Sequence, residues 1–172
     1  MLRRPDFQKF LDAEKVEIEN MRKNGVFEWI NLPAGERAIG SKFTYQIKRD
    51  KDGHIIQYKA RLVASGFEQR KGIDYLDTSA PVARVTGFRM LVCIAFIRGW
   101  PTYSWDVDSA FLHCKLKQLI FMKPPSGFSE TRDGRVLILK KTLYGLKQSA
   151  AEWHGLLSAT FVELGYKAVD CS

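Results

Sequence analysis

Two alternating runs, 41–49 and 54–64, flank Asp50-Lys51-Asp52-Gly53, and no other feature limits the fold of this chain as much. A glycine closing a short polar turn can adopt positive φ, so the two arms are expected to pair as a β-hairpin. Period-2 geometry then sorts the side chains. Phe43, Tyr45 and Ile47 fall on one face of the first arm, and Lys42, Thr44, Gln46 and Lys48 on the other. On the second arm His54, Ile56, Tyr58, Ala60 and Leu62 oppose Ile55, Gln57, Lys59, Arg61 and Val63. One face can be core while the other is basic.

Charge concentrates on the same stretch. The chain carries 27 Lys+Arg against 19 Asp+Glu, a formal +8. From Arg37 to Lys71, nine basic residues (Arg37, Lys42, Lys48, Arg49, Lys51, Lys59, Arg61, Arg70 and Lys71) meet three acids (Asp50, Asp52 and Glu68), so +6 of that +8 lies here. Local positive charge of this kind suits a polyanion, because each neutralised phosphate releases counterions. A solvated surface hairpin would carry the same charges, and charge alone leaves both open.

A length of 172 residues fits one domain, or one and a fragment of another. With 45% apolar and 27% charged residues, disordered, collagen-like and mucin-like classes are excluded. A chain of this size removes roughly 70% of its unfolded surface from water without staples. Cys93, Cys114 and Cys171 lie too far apart for a CxxC metal site, and three cysteines do not make a disulfide scaffold, so a reducing compartment is expected. Met90 to Ile97, the most apolar run, is too short to span a membrane and is expected to be a core helix. Met-Leu-Arg-Arg-Pro-Asp at the N-terminus leads into polar residues, so no signal peptide is expected and the location would be intracellular, cytoplasmic or nuclear, without membrane.

Along the chain, Phe7, Phe10, Leu11, Val16, Ile18 and Met21 recur at helical spacing, predicting a packing helix over 6–24 stopped by Asn24-Gly25. Val26 to Leu32 reads as a strand, and 66–82 as a linker with single aromatics among polar residues. The spacing of Val85, Phe88, Leu91, Val92, Ala95 and Phe96 predicts a buried helix between Ala83 and Gly99. Strands are expected at Thr102 to Val107, Leu119 to Met122 and Val136 to Leu139, with a short helix or turn at Ala110 to Lys115. Ser149 to Leu164 is a last helix with Trp153, Leu156, Leu157, Thr160, Phe161 and Leu164 on its apolar side.

The segment Tyr103-Ser104-Trp105-Asp106-Val107-Asp108 carries the most chemistry. As a strand it puts Tyr103, Trp105 and Val107 on one side and Ser104, Asp106 and Asp108 on the other. Buried carboxylates need compensation, and Mg²⁺, which takes one or two carboxylates plus substrate phosphates, would provide it. Acids at an exposed strand end that cap the following turn would give the same spacing.

Several blocks resemble one family. Trp29-Ile30, Leu32-Pro33-Ala34-Gly35, Ile39-Gly40-Ser41-Lys42-Phe43, Lys48-Arg49-Asp50-Lys51-Asp52-Gly53, Tyr58-Lys59-Ala60-Arg61-Leu62-Val63-Ala64-Ser65-Gly66-Phe67 and Gly72-Ile73-Asp74-Tyr75 through Ala80-Pro81-Val82-Ala83-Arg84 look like the fingers of the Ty1/copia-type retrotransposon reverse transcriptase. Asp106-Val107-Asp108-Ser109-Ala110-Phe111-Leu112, Phe121-Met122-Lys123-Pro124-Pro125-Ser126-Gly127-Phe128 and Leu139-Lys140-Lys141-Thr142-Leu143-Tyr144-Gly145-Leu146-Lys147-Gln148 continue the pattern in order. The resemblance implies an α+β chain: right-hand polymerase fingers (about 26–84) and a partial palm (about 85–172), an antiparallel sheet with packed helices.

It also implies roles. Asp106 stands where the family has its first catalytic aspartate, with the Val107 carbonyl as a further Mg²⁺ ligand. Phe111 matches the aromatic that floors the nucleotide pocket and excludes a 2′-hydroxyl. Lys59 and Arg61 lie on the arm that reaches the triphosphate, either one able to make the contact, and Gly145 with Leu146-Lys147-Gln148 matches the segment that packs against template and nucleotide. The implied partners are an RNA template with DNA primer, dNTP, and the rest of the polyprotein. The chemistry would be two-Mg²⁺ phosphoryl transfer.

The family's second acids come from a Tyr-x-Asp-Asp hairpin, which this sequence does not contain before Val169-Asp170-Cys171-Ser172. Asp170 resembles an acid preceding that hairpin and is assigned no catalytic role. Ser149-Ala150-Ala151 replaces the usual Ala/Ser-Pro-Arg, and His113-Cys114 the usual Asn-Gly, a pair expected at the surface. Little or no polymerase activity is therefore expected of these residues alone. The alternative is a non-catalytic nucleic-acid-binding remnant using the basic hairpin with Tyr45, Tyr58 and Phe67, and a third possibility is a poorly folding relic whose incomplete sheet leaves an open apolar edge.

Overall fold

The computed structural model of the chain describes residues 5–126, 128 and 134–167. In order these form α1 (Phe7–Lys23), β1 (Phe27–Ile30), β2 (Ala38–Ile39), β3 (Ser41–Arg49), β4 (Ile55–Ala64), α2 (Val85–Ile97), β5 (Lys115–Met122), β6 (Val136–Lys141) and α3 (Ser149–Glu163), with 3-10 turns at Gly66–Glu68 and Ala110–His113. The class is α+β. Asp170 and Cys171 lie outside the described residues.

The hairpin forms in the register its alternation requires, antiparallel from Ser41 opposite Ala64 to Arg49 opposite Ile55. At its tip Asp50 Oδ1 accepts the backbone N–H groups of Asp52 and His54, each at 2.9 Å, and Gly53 takes φ +87°. The apolar face is covered by α1. Phe10 packs edge-on against Tyr45 at 5.2 Å and Tyr58 at 5.0 Å, and the Tyr45 hydroxyl donates to Glu14. One turn further on, Glu17 accepts the Leu62 N–H at 3.3 Å, which occupies a backbone donor of β4.

That last contact has a pH signature. Burial pushes the Glu17 carboxyl above the usual carboxylate range, although the Leu62 N–H and the charges of Lys59 and Arg61 pull the other way. A folded-state pKa above the unfolded value means that folding favours the protonated acid, so this contribution is complete at low pH and is lost as pH rises through the folded pKa. Glu17→Gln keeps an acceptor for Leu62 and never ionises. It is expected to raise the melting temperature over the parent at pH 8, with the gain shrinking toward pH 4 in circular-dichroism melts. A gain that grew on acidification would contradict the sign.

Four strands make the second sheet in the order β1-β6-β5-β2. Its β1/β6 and β6/β5 pairs are antiparallel as expected, but the short β2, which the sequence did not signal, runs parallel to β5. The sheet is therefore mixed rather than antiparallel. Two residues at the edge suffice because the Lys123 N–H also donates to the Ile39 carbonyl at 2.8 Å. β5 starts at Lys115, earlier than Leu119, with a register irregularity between Lys115 and Ile120. Alternation gives the sheet two apolar faces. Ile120, Met122, Leu137 and Leu139 join Met21, Leu62, Leu112, Leu143 and Leu146 in the main core, while Phe121, Val136, Ile138 and Ala38 pack on the other side.

Two expectations fail in the region 85–107. Residues 102–107 form no strand, and α2 is helical but not buried: Ala95 alone is enclosed, while Phe88, Leu91 and Ile97 lie open and Phe96 is 87% exposed. The causes are linked. A strand exists only when neighbours take its backbone hydrogen bonds, and among the described residues nothing pairs with 102–107 or covers α2. α3 shows the same over its second half, where Leu156, Phe161 and Val162 lie exposed. No described helix is long and apolar enough to cross a membrane.

Candidate nucleotide and nucleic-acid interface

The hairpin is fastened at its base, near Lys42 and Arg61, to Gly40 and to the 143–148 turn. The Ala64 N–H donates to the Tyr144 carbonyl and the Ser65 N–H to the Gly40 carbonyl, both at 2.8 Å. Here two glycines leave no room for side chains. A Cβ on Gly66 would stand 2.0 Å from the Gly145 carbonyl oxygen, and one on Gly145 would stand 2.2 Å from the Ala64 carbonyl oxygen. Gly145 also requires φ +89°, a left-handed angle that glycine adopts without Cβ strain.

This junction lines up three side chains distant in sequence. The Arg61 guanidinium lies over the Tyr144 ring at 5.4 Å, and the Tyr144 ring meets Phe111 edge-on at 5.2 Å. Stacking of this kind holds a cation in place while leaving its outer N–H groups available. Arg61 also reaches Gln46 Oε1 at 3.4 Å across the hairpin, while its Nε is shielded from solvent and has no acceptor among the described residues. Lys59 is half-buried on the same face, opposite Gln46, with Lys42 and Lys48 exposed beside it. Phe111 is fixed through its backbone, whose carbonyl accepts from the buried Thr142 hydroxyl. The cationic face thus abuts the segment that follows Asp106.

Gln148 faces inward. It is 2% exposed, its Oε1 accepts from Gln69 Nε2 at 3.0 Å, and its Nε2 donates to the Asp74 carbonyl at 3.0 Å. Any part it plays with substrate therefore runs through the turn it anchors. Asp74 belongs to the same knot. Partial burial pushes its carboxyl up, but hydrogen bonds from the Arg70 side chain and backbone outweigh this and hold it below the usual range.

Asp106 and Val107 lie on the exposed, irregular 101–107 segment, and no group of three metal-ligating side chains among the described residues includes Asp106 or Asp108. The one such group is Asp50, Asp52 and His54 at the hairpin tip, where the turn's own hydrogen bonds account for the clustering. The donor set around Asp106 therefore does not fit a two-Mg²⁺ centre as it stands.

The expected surface pair His113-Cys114 divides. His113 is exposed with Nε2 3.1 Å from the Asp108 carbonyl oxygen, whereas Cys114 is buried and burial pushes its thiol pKa up. Cys114 sits at φ −87°, ordinary extended backbone, so losing the family's glycine costs no strain there. The left-handed angle falls instead on Ser109, φ 53°, whose hydroxyl accepts from Asn20 Nδ2 at 3.0 Å. Tyr45 and Tyr58 pack on α1, away from the basic face, and cannot stack on bases there. Phe67 is exposed. Tyr144 and Gln69 were missed as site residues, because nothing in their local spacing shows what they touch.

Residues 24–172 match the family described as reverse transcriptase (RNA-dependent DNA polymerase). The chain belongs to that family. Among its relatives, the retrovirus-related Pol polyprotein from transposon TNT 1-94 of Nicotiana tabacum is 37% identical over 155 residues, 90% of this chain and 12% of the relative. The corresponding polyprotein from transposon RE1 of Arabidopsis thaliana is 37% identical over 161 residues, 92% of this chain and 11% of the relative. The truncated transposon Ty1-A Gag-Pol polyprotein of Saccharomyces cerevisiae is 29% identical over 163 residues, 91% and 13% of the two. This reverse-transcriptase segment is thus of the Ty1/copia type and spans about an eighth of the length of each of these three polyproteins. No solved structure matches it.

Proposed function

We propose that this reverse-transcriptase segment forms the fingers, about 26–84, and part of the palm, about 85–172, of an RNA-directed DNA polymerase. Its basic hairpin would hold the phosphates of dNTP and of an RNA template with DNA primer. The observation that carries this is the contiguous line from Arg61 through Tyr144 to Phe111. It joins the phosphate-holding arm to the aromatic that would exclude a 2′-hydroxyl. Of the two candidate cations, Arg61 is favoured for the triphosphate contact, because its guanidinium is already oriented by Tyr144 and Gln46. Lys59 would serve the nucleic-acid backbone, Gly145 would bring the 143–148 turn close to substrate, and Gln148 would anchor that turn.

Asp106, with the Val107 carbonyl, would be the first Mg²⁺ position once further carboxylates converge on it. The exposed apolar surface of α2 with Trp100, Tyr103 and Trp105 supports a role for more of the Pol polypeptide. Polypeptide packed there would both bury the helix and give residues 102–107 a strand partner.

A second function is binding of nucleic acid without reaction, favoured because Asp106 belongs to no group of three metal-ligating side chains among the described residues. One experiment separates the two. The 172-residue chain is titrated into a fluorescein-labelled RNA–DNA template–primer between 50 and 300 mM KCl, then supplied with Mg²⁺ and dNTP. Log affinity falling linearly with log salt and no primer extension is the expected outcome. Extension would establish a complete centre, and salt-independent or absent binding would sink both functions.

A further inference from the structure

Among the described residues, Gln69 spends both ends of its side-chain amide on a single turn. It is 7% exposed, its Oε1 accepts the Lys147 N–H at 2.8 Å, and its Nε2 donates to Gln148 Oε1 at 3.0 Å. Gln148 Nε2 passes the sequence on to the Asp74 carbonyl at 3.0 Å. The direction of this relay is dictated at both ends, since a backbone N–H can only donate and a backbone carbonyl can only accept. Turning either amide around would set donor against donor and acceptor against acceptor.

The relay secures one end of the 143–148 turn. The other end is secured where Gly145 meets Ala64 and where the Ala64 N–H reaches the Tyr144 carbonyl. Tyr144 belongs to this second anchor through its carbonyl, three residues before Lys147, and its ring carries Arg61 on one side and Phe111 on the other. The anchors come from opposite flanks of the 66–69 segment: Gly66 touches Gly145, and Gln69 touches residues 147 and 148. That segment therefore sets the position of the turn as a unit.

We infer that Gln69 is a positioning residue for the nucleotide pocket: by clamping Lys147 and Gln148 it holds the Tyr144 ring in place, and through that ring it fixes both Arg61 and Phe111. This rests on the nucleotide-binding function proposed above. Gln69 touches no substrate. Its loss would act on phosphate holding through Arg61 and on sugar discrimination through Phe111, two properties that a merely structural residue would not change together.

The test uses the 172-residue chain with template–primer present, and reads dissociation constants for dGTP and for GTP by displacement of a fluorescent nucleotide, well below each protein's unfolding midpoint. Gln69→Leu removes both bonds. Gln69→Glu keeps the acceptor for Lys147 and loses the donor to Gln148, and it guards against a Leu variant that fails to fold. The parent is expected to prefer dGTP by roughly 10- to 100-fold, the range a pocket can reach against one added hydroxyl. Gln69→Leu should reduce the preference to about threefold or less and Gln69→Glu to an intermediate value. Folded variants that weaken both nucleotides equally, or change neither, would overturn the inference alone. A folded parent that binds neither nucleotide would overturn the pocket itself, and the positioning role with it.

Discussion

Gly145→Ala is expected to abolish the cooperative unfolding transition of this chain, or to lower its stability by more than about 3 kcal/mol, because two penalties fall on one atom. The new Cβ would lie 2.2 Å from the Ala64 carbonyl oxygen and 2.6 Å from Val63 Cγ1, with the backbone at φ +89°. Gly66→Ala separates the two effects. It has no positive φ, yet its Cβ would meet the Gly145 carbonyl oxygen at 2.0 Å, so it pays the steric part alone and should still be severe. Gly53→Ala is the complementary control: φ +87° with nothing within 4 Å of the added methyl, for a cost of about 1–2 kcal/mol. Urea titration of the three variants checks the order. A Gly145 variant no weaker than the Gly53 variant would mean that the hairpin and the turn are not packed at this distance.

The second large effect is on binding. Replacing Lys59 and Arg61 together by glutamine removes two charges from the face opposite α1. If both neutralise phosphates, the slope of log affinity against log salt should flatten by about 2, and affinity near 100 mM salt should fall by about 10- to 100-fold. Lys15→Gln, an exposed charge on α1 bonded to Asp12, should leave the slope unchanged. Fluorescence anisotropy on the same RNA–DNA duplex reads all three proteins. An unaltered slope in the double variant would move the phosphates off the hairpin.

Much of the hairpin was legible in the sequence. The two-faced hairpin follows from strict alternation around an Asp-Gly turn, and it formed with Phe43, Tyr45 and Leu62 inward and Lys42, Lys59 and Arg61 outward. The ordered blocks from Trp29 to Gln148 carried the family, which the match over residues 24–172 bears out. Tyr144 was legible only as part of a block. Its role depends on residues 61 and 111, which no local period connects to it.

The sequence by itself determined which segments can be helix or strand and which face of each is apolar, because backbone preference and side-chain period are properties of neighbouring residues. Tertiary structure decided what those faces meet. Trp105, 90% exposed, sits in a segment with the composition of a buried strand and the environment of a loop, since a strand draws its hydrogen bonds from partners elsewhere. For the same reason α2 folded as the period required and remained uncovered, while Gln69 and Gln148, polar residues that composition would leave at the surface, were drawn inside by the backbone groups they satisfy.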